Sequence, residues 1–297
     1  MYSDRTLTEE LKFQLRHGGM HIRLIFVNSA VFLAMIFLDI LARATHNIWI
    51  EWFKIQFFTL QTNLSDFAYA PYGLLTSIFT HFSLLHFLFN MIFLYYAGIL
   101  FRQFFSDRRM LHVYILGGVV GGIFELIANQ FSVSGSVVLG ASGSIMALFI
   151  AIAVHRPNMQ INFFGLFPVK IYIIALIFLA GDLLQAFKTD GTAHFSHLGG
   201  ALIGLLSVQN LHSSSNIINW TESIHQRILA FFSGRQKRPK MKVQSGGGRV
   251  VKTDEEYNMD AKARQARIDK ILDKISKSGY ESLTKAEKDF LFSQSNK

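Results

Sequence analysis

Two short motifs place side chains that could do chemistry inside apolar stretches of the chain. Residues 140–143 read GASG and contain Ser142, and residues 193–200 read AHFSHLGG and contain His194 and His197. A serine hydroxyl is a weak nucleophile until a base removes its proton, and histidine is the usual base. A single serine in an apolar helix usually hydrogen-bonds its own backbone, so neither motif alone predicts catalysis.

Stripes of small residues accompany both motifs at helical spacing. They are Gly143, Ala147 and Ala151 in the first stretch and Gly200, Ala201 and Gly204 in the second. Such stripes let helices approach closely in a membrane. If the two stripes face each other, Ser142 and His197 come within hydrogen-bonding distance, which makes them a candidate nucleophile and general base.

A third polar cluster occurs in HFSLLHFLFN, residues 81–90. His86 and Asn90 are four residues apart and therefore share one helix face, whereas His81 points elsewhere or precedes the helix. Two interpretations stay open from the residues alone. The pair could be a hydrogen-bonded contact that specifies helix packing, or two donors directed at an oxyanion that develops during a reaction.

The composition indicates a membrane protein. Of the 297 residues, 51% are hydrophobic and only 16% are charged, whereas soluble domains carry about 25% charged residues. The chain has no cysteine, which excludes disulfides, thiolate metal sites and a cysteine nucleophile. Any chemistry must therefore come from other side chains.

Six apolar segments predict an all-α, polytopic membrane protein with six transmembrane helices in one bundle. They are residues 22–42, 83–104, 111–131, 140–155, 168–187 and 193–211, and a full crossing takes about 20 residues. The motif ARA at residues 42–44 resembles a signal-peptidase site, but the length of the first segment and Asp39 favour a retained helix. Residues 45–82 are aromatic and irregular, so we expect an interfacial loop with short helices.

The distribution of charge predicts the orientation. Lysine and arginine collect before the first segment, around residues 102–109, at Arg156 and in the C-terminal tail, whereas residues 129–139 carry no charge. By the positive-inside rule, both termini are cytoplasmic. Ser142 and His197 then begin helices at the same outer depth, as a joint site requires. The segment after Ser142 is short, so we expect it to start below the membrane surface.

Three regions are predicted along the chain. They are a membrane domain at residues 1–212, an amphipathic segment with a basic flexible linker at 213–252, and a small cytoplasmic helical tail at 253–297. From Ser213 onward the chain carries 17 Lys/Arg against 10 Asp/Glu. We expect this basic tail to meet an anionic lipid surface or a protein partner, and we expect no nucleic acid.

Two helical patterns follow the membrane domain. An amphipathic helix over 217–232 is predicted from the spacing of Ile217, Trp220, Ile224, Ile228 and Phe231. A helical hairpin is predicted further on, from an apolar stripe at Ile268, Ile271, Leu272 and Ile275, a stop at Gly279, and a Thr284–Glu287 capping box.

Together the three motifs of the membrane domain resemble the rhomboid family of intramembrane serine proteases. The resemblance covers roughly residues 20–212 and rests on HFSLLHFLFN in the second segment, GASG at the start of the fourth and HLGGALIG in the sixth. It implies a bacterial six-helix protein of the inner, or plasma, membrane. It also implies cleavage of transmembrane segments of other membrane proteins near their outer ends, with no cofactor and no metal ion.

The resemblance assigns roles to individual residues. Ser142 would be the nucleophile and His197 the general base and acid, in a dyad without an acidic third member. His86, Asn90 and the backbone N–H of Ser142 would form the oxyanion site. The supporting positions would be His81, Gly140, Gly143, Gly200 and Gly204.

Some positions depart from the pattern of this family. Met146 stands where an aromatic residue often packs on the histidine, Phe101 where a glutamate is frequent, and Tyr72–Gly73 where a Trp-Arg pair is common. These departures bear on the structure of the loops and on the rate of reaction.

Three acidic residues in the membrane segments have no role assigned from the sequence. They are Asp39, Glu125 and Asp182, and their spacing predicts no metal site. Two other functions stay open beside proteolysis. One is a rhomboid-like protein that binds membrane clients without cutting them, and the other is a small transporter or channel that uses the polar residues as a path.

Overall fold

The fold consists mainly of helices, as the sequence predicts. A computed structural model of the chain describes residues 6–131, 137–163, 167–186, 192–211, 213–232 and 254–295. The chain forms two compact units, Met1–Arg235 and Gln236–Lys297, and each is described by itself. The boundaries predicted at 212 and 252 stay a prediction.

The first unit begins with a helix that the hydrophobic pattern does not reveal. Helix α1 covers Leu7–His17 and is followed by the long helix α2, Met20–Thr45. Thr6 and Glu9 form a capping box in which each side chain bonds the backbone N–H of the other. That pair was a readable start signal inside a polar stretch.

The aromatic stretch after α2 folds into short helices, as expected. It contains α3, Ile48–Phe58, then strand β1, Leu60–Gln61, then α4, Leu64–Tyr69, and α5, Gly73–Thr76, which runs into a 3-10 turn, Ser77–Phe79.

Lys54 fastens α3 to α2. Its side chain is buried, and its Nζ atom lies 2.9 Å from Asp39 Oδ1 and 3.1 Å from Glu51 Oε2. Arg43 Nε lies 2.9 Å from the other carboxylate oxygen of Asp39. Asp39 is therefore part of an ion-pair network that orders the segment after α2.

The helices and strands that follow, up to residue 208, come in this order: α6, Leu84–Arg102; α7, Asp107–Asn129; β2, Val137–Val138; α8, Ser142–His155; β3, Gln160–Phe163; β4, Phe167–Lys170; α9, Ile171–Gln185; and α10, His194–Val208. The short strands form two pairs. Strand β2 pairs antiparallel with β1, and β3 with β4. The sequence did not predict the strands.

The chain is a membrane protein with three candidate spans. Helices α2, α6 and α7 are long and apolar enough to cross a bilayer. Helices α8, α9 and α10 are also apolar but have 14, 15 and 15 residues, fewer than the roughly 20 of a full crossing. Each of the six predicted segments overlaps one of these helices, and the count of six crossings remains a prediction.

Helix α8 lies at the centre of the first unit and packs against α6, α7 and α10. Residues such as Ala147, Leu148 and Ile152 are completely buried. Helices on the outside instead expose large apolar side chains, among them Leu33 on α2 and Leu184 on α9. A central helix that begins with a polar residue, surrounded by helices with apolar outer faces, is typical of a protein in a lipid bilayer.

Helix α11, Ile217–Phe232, covers the predicted amphipathic segment. The buried guanidinium of Arg109 on α7 donates to the side-chain oxygens of Asn216 and Asn219, both at 2.9 Å, and to the carbonyl of Ser207. These bonds join α7, the end of α10 and the start of α11.

The second unit contains the predicted helical hairpin. It consists of α12, Asp254–Ser278, a 3-10 turn, Tyr280–Ser282, and α13, Lys285–Ser295. Gly279 ends α12 with a φ of +75°, a conformation that favours glycine. The predicted capping box at Thr284 and Glu287 is present. The predicted flexible linker, residues 233–252, lies outside the described residues.

Candidate active site

Ser142 and His197 meet where two neighbouring helices begin. Ser142 is the first residue of α8, and His197 lies in the first turn of α10. His197 Nε2 lies 2.8 Å from Ser142 Oγ, and the histidine side chain is only partly buried. The contact between Ser142 and His197, which the sequence predicts if the two small-residue stripes face each other, is therefore present.

The close approach of α8 and α10 depends on glycine. A Cβ atom on Gly200 would lie 2.0 Å from the carbonyl oxygen of Gly143, and one on Gly204 would lie 2.5 Å from the carbonyl oxygen of Ala147. Neither position has room for a side chain. The two stripes therefore face each other, which is the condition that the sequence set for the Ser142–His197 contact.

A third glycine stripe, on α7, completes this close packing and was missed in the sequence. A Cβ atom on Gly117 would lie 2.4 Å from Ala147 Cβ, and one on Gly121 would lie 2.6 Å from the carbonyl oxygen of Ser196. The repeated pairs in GGVVGG, residues 117–122, were the available signal. Helices α7, α8 and α10 thus form one tight group around the Ser142–His197 contact.

The turn before Ser142 needs a glycine. Gly140 has a φ of +120°, and a Cβ atom there would lie 2.7 Å from the His86 ring. Its N–H donates to the carbonyl oxygen of Ser77 at 2.9 Å, and the Ala141 N–H donates to His81 Nε2 at 3.4 Å. These contacts fix the backbone conformation of the turn that immediately precedes Ser142.

His81 is completely buried beside this turn. Burial, and then the neighbouring His86, lower the pKa of His81 to about 4. The ring is therefore neutral near pH 7, as the bond accepted by Nε2 requires. The family resemblance gave His81 a supporting role, and its hydrogen bond reaches the turn before Ser142.

His86 and Asn90 lie four residues apart on α6, close to the turn before Ser142. The His86 ring packs against Gly140, the first residue of the motif that carries Ser142. The Asn90 side chain is buried and donates to the carbonyl oxygen of His86 at 2.9 Å, a bond within its own helix. An amide has two N–H donors, so this bond leaves one for another acceptor.

Asp182 is a member of the site that sequence reasoning missed. Its Oδ1 atom lies 2.8 Å from His197 Nδ1 and 2.8 Å from His194 Nδ1, and the residue is buried near the end of α9. The expectation that no acidic residue accompanies Ser142 and His197 is therefore wrong for this chain. The packing of α9 against α10 brings Asp182 to the far side of the imidazole.

Glu125 anchors the start of α10 from the neighbouring helix α7. Its Oε2 atom accepts the Ser196 N–H at 3.1 Å, and Oε1 accepts from Asn129 Nδ2 at 3.1 Å. Ala193 gives α10 no side-chain cap. The first N–H groups of a helix need partners, and a carboxylate also interacts favourably with the helix dipole. Glu125 therefore serves as a cap supplied from α7, one residue before His197.

The departures from the family pattern serve packing. Met146 and Phe101 are buried in the core of the first unit. The Tyr72 ring stacks on Phe57 with 5.3 Å between ring centroids. A Cβ atom on Gly73 would lie 2.5 Å from the carbonyl oxygen of Thr59, so this position excludes the arginine of the family pattern.

Asp182, His194 and His197 also form a group with the chemistry of metal ligands. The sequence predicted no metal site, yet the candidate ligand atoms of these residues lie within 4.8 Å of one another. The same three atoms are joined by the two hydrogen bonds to Asp182 Oδ1. The absence of a metal site stays a prediction.

Comparison with known families gives two matches along the chain. Residues 69–214 match the Rhomboid domain family, and this range includes Ser142, Asp182 and His197. Residues 252–297, which include α12 and α13, match a family of unknown function, DUF6576.

Individual proteins similar to this chain have related names. RHOMBOID-like protein 12, mitochondrial, of Arabidopsis thaliana is 29% identical over 153 residues, which are 45% of this chain and 44% of that protein. Presenilin-associated rhomboid-like protein, mitochondrial, of Homo sapiens is 28% identical over 149 residues, 47% of this chain and 38% of that protein. Rhomboid-like protease 3 of Toxoplasma gondii is 23% identical over 148 residues, 48% of this chain and 54% of that protein. The chain thus spans only about half or less of the length of these relatives.

Proposed function

Because residues 69–214 make this chain a member of the rhomboid family, we propose that it is an intramembrane serine endopeptidase that cleaves transmembrane segments of other membrane proteins. The observation that carries the proposal is the 2.8 Å contact between Ser142 Oγ and His197 Nε2 in a domain with an apolar exterior. The name of the Toxoplasma gondii relative, a rhomboid-like protease, agrees with it.

The proposed reaction is acyl transfer to Ser142. Ser142 Oγ attacks the scissile carbonyl carbon while His197 Nε2 removes the hydroxyl proton. The tetrahedral intermediate collapses, the peptide C–N bond breaks, and His197 gives the proton to the leaving amine. A water molecule, activated by His197, then hydrolyses the acyl-enzyme and frees Ser142.

The oxyanion of the intermediate needs hydrogen-bond donors close to Ser142. As the first residue of α8, Ser142 has a backbone N–H without an acceptor inside its helix, and the helix dipole favours negative charge there. We assign the other donors to the His86 ring and the second N–H of the Asn90 amide, on the helix beside the turn. This assignment keeps Asn90 in both of its roles, in packing and in binding.

The proposed substrates are transmembrane helices. A peptide bond inside a helix has its carbonyl oxygen hydrogen-bonded, so the segment must unwind locally before Ser142 can attack. Residues that weaken helices, such as glycine and proline, should therefore mark the cleavage site. In the orientation predicted from the charges, the cut lies near the outer end of the substrate helix.

The membrane in which this happens is not assigned by the comparisons. Two of the relatives are named mitochondrial, so their names give no support to the bacterial plasma membrane that the family resemblance implied. The proposal requires a lipid bilayer and a substrate that spans it. The lipid or protein partner expected for the C-terminal tail stays a prediction.

The test uses the full chain in lipid vesicles with a fluorescent transmembrane substrate and a fluorophosphonate probe. We expect wild type to cleave and to be labelled, and Ser142→Ala and His197→Ala each to lower the cleavage rate at least about 10³-fold. Ser144→Ala is the matched control. It removes a hydroxyl from the same helix, and Ser144 Oγ has no hydrogen-bond partner among the described residues.

The outcomes separate the functions that the sequence left open. Cleavage that survives Ser142→Ala contradicts the assignment of the nucleophile. A wild-type protein that binds transmembrane substrates but neither cleaves them nor reacts with the probe is a client-binding protein instead. Equal losses in Ser142→Ala and Ser144→Ala would indicate disruption of α8 rather than removal of a nucleophile.

A further inference from the structure

Asp182 differs from the other acidic residues of the membrane segments in what it faces. Asp39 pairs with Lys54 and Arg43, and Glu125 bonds the backbone N–H of Ser196. Asp182 instead faces two histidine rings, and one of them contacts Ser142 through its other nitrogen. A single line of hydrogen bonds therefore runs from the carboxylate through His197 to the serine hydroxyl.

This line of bonds determines which nitrogen of His197 carries the proton. A neutral imidazole has one N–H, and an ionised carboxylate can only accept hydrogen bonds. The 2.8 Å contact with Asp182 Oδ1 therefore requires the proton on Nδ1. Nε2 is left with its lone pair directed at Ser142 Oγ, which is the form that can remove the hydroxyl proton.

The same contact matters after the proton has moved. His197 becomes a cation when it takes the proton of Ser142, and Asp182 then lies beside the positive ring. His194 donates to the same oxygen from one turn earlier on α10, so the carboxylate is held from two sides. Other titratable groups that interact with the His197 charge are His86 on α6 and Glu125 on α7.

We propose that Asp182 is a positioning residue for the reaction: it keeps His197 in the Nδ1–H tautomer and stabilises the imidazolium formed when Ser142 is activated. The site is then a Ser–His–Asp arrangement contributed by three helices, with Ser142 on α8, His197 on α10 and Asp182 on α9. The kinetic part of this inference rests on the proposed proteolytic function.

The first experiment measures kcat and KM separately for Asp182→Asn, Asp182→Glu and the matched control Asp39→Asn. An asparagine can turn its amide N–H toward Nδ1 and thereby force the proton onto Nε2. We expect kcat of Asp182→Asn to fall by about 10² to 10⁴-fold with KM nearly unchanged, as loss of the correct tautomer does in serine proteases. Labelling by the fluorophosphonate should slow in parallel. Asp182→Glu should regain part of kcat, and Asp39→Asn should keep it.

The second experiment reads the tautomer without any activity. Nitrogen-15 NMR of histidine-labelled full-length protein distinguishes Nδ1–H from Nε2–H, and His197→Gln identifies the signals of His197. We expect Nδ1–H in wild type and a change to Nε2–H in Asp182→Asn. Thermal unfolding of each variant shows whether the fold is kept, and if Asp182→Asn fails to fold, wild type and Asp182→Glu decide the question.

The results separate the two proposals. If wild type cleaves, Ser142→Ala does not, and Asp182→Asn keeps kcat within about threefold, the positioning role is overturned while the protease function stands. An Nε2–H tautomer of His197 in wild type overturns it as well. If wild type neither cleaves nor reacts with the probe, the proposed function fails, and the tautomer measurement still tests the hydrogen-bonded arrangement.

Discussion

Gly200 of α10 lies so close to α8 that a Cβ atom at this position would be 2.0 Å from the carbonyl oxygen of Gly143. Gly143 directly follows Ser142, and Gly200 lies three residues after His197. The backbones of α8 and α10 are therefore in contact directly beside Ser142 and His197, the two residues proposed for catalysis. The distance between the helix backbones sets the distance between Ser142 Oγ and His197 Nε2.

Substitution of Gly200 by alanine should force the two helices apart. Overpacking of this kind costs about 1–3 kcal/mol of stability, and we expect a large loss of cleavage because the Ser142–His197 contact lengthens. Gly181→Ala is the matched control, since a Cβ atom there meets nothing within 4 Å. It should leave activity unchanged and stability equal or slightly higher. Thermal unfolding and the cleavage rate check both, and equal behaviour of the two variants would contradict the argument.

Removal of Glu125 should loosen the start of α10. Glu125→Ala removes the carboxylate acceptor of the Ser196 N–H and leaves it only the Ala193 carbonyl oxygen at 3.0 Å. We expect the loss of this cap to cost about 1 kcal/mol. Because His197 follows Ser196, kcat should fall as well. Glu125→Gln keeps an acceptor oxygen and should retain most of the stability. Hydrogen exchange at the first amides of α10 checks this, and unchanged protection in Glu125→Ala would exclude a capping role.

Much of the site could be predicted from the sequence because its signals are local. Ser142 and His197 are polar residues in apolar runs, and the small residues beside them repeat at helical spacing. These two facts predicted a contact between α8 and α10 that the structure contains. The helical hairpin of the tail was equally readable, since Gly279 and the Thr284–Glu287 pair are local stop and start signals.

Two of the missed features, the contacts of Asp182 and Glu125, depend on contacts between distant parts of the chain. Asp182 lies fifteen residues before His197, and only the packing of α9 on α10 shows that the two side chains meet. Glu125 caps a helix other than its own, so no spacing rule could pair it with Ser196. Helix α1 was missed for another reason: it is polar, so a search for apolar segments does not find it.

Protonation of His81 should weaken the fold at mildly acidic pH. Burial lowers the pKa of His81 to about 4, from an ordinary value near 6.5. The unfolded chain therefore binds the proton more readily. The resulting contribution of His81 to the free energy of unfolding is on the order of 3 kcal/mol. It is complete above about pH 6.5 and is lost as the pH falls to 4. We expect the unfolding temperature of wild type to fall over this range.

The substitution His81→Gln isolates this effect. The variant should be less stable than wild type at pH 7, and the difference between the two proteins should shrink as the pH falls toward 4. His17→Gln, at an exposed position on α1, should leave the pH dependence of wild type in place. A constant difference between wild type and His81→Gln from pH 7 to 4 would rule out the titration of His81 as the cause.

Replacement of Arg109 should release α11 from the membrane domain. The guanidinium bonds Asn216, Asn219 and the Ser207 carbonyl at once, and a lysine ammonium cannot reproduce that fork. We expect Arg109→Lys to lose about 1–3 kcal/mol and to speed hydrogen exchange throughout α11. The neighbouring Arg108 is exposed, so Arg108→Lys should have no effect. Equal exchange in the two variants would mean that α11 is held by other contacts.

The start of α13 should depend on the capping box at Thr284. Glu287 accepts the Thr284 N–H at 2.7 Å and Lys274 Nζ at 3.0 Å, and these bonds, the first above all, lower the pKa of Glu287 to about 2. Loss of a threonine cap costs about 1 kcal/mol, so Thr284→Ala should increase hydrogen exchange in α13 of the full chain. Ser276→Ala removes an exposed hydroxyl from the interior of α12 and should leave exchange unchanged or slower, because alanine favours helix. Unchanged exchange in Thr284→Ala would show that apolar contacts such as those of the buried Leu283, and not the cap, hold the hairpin.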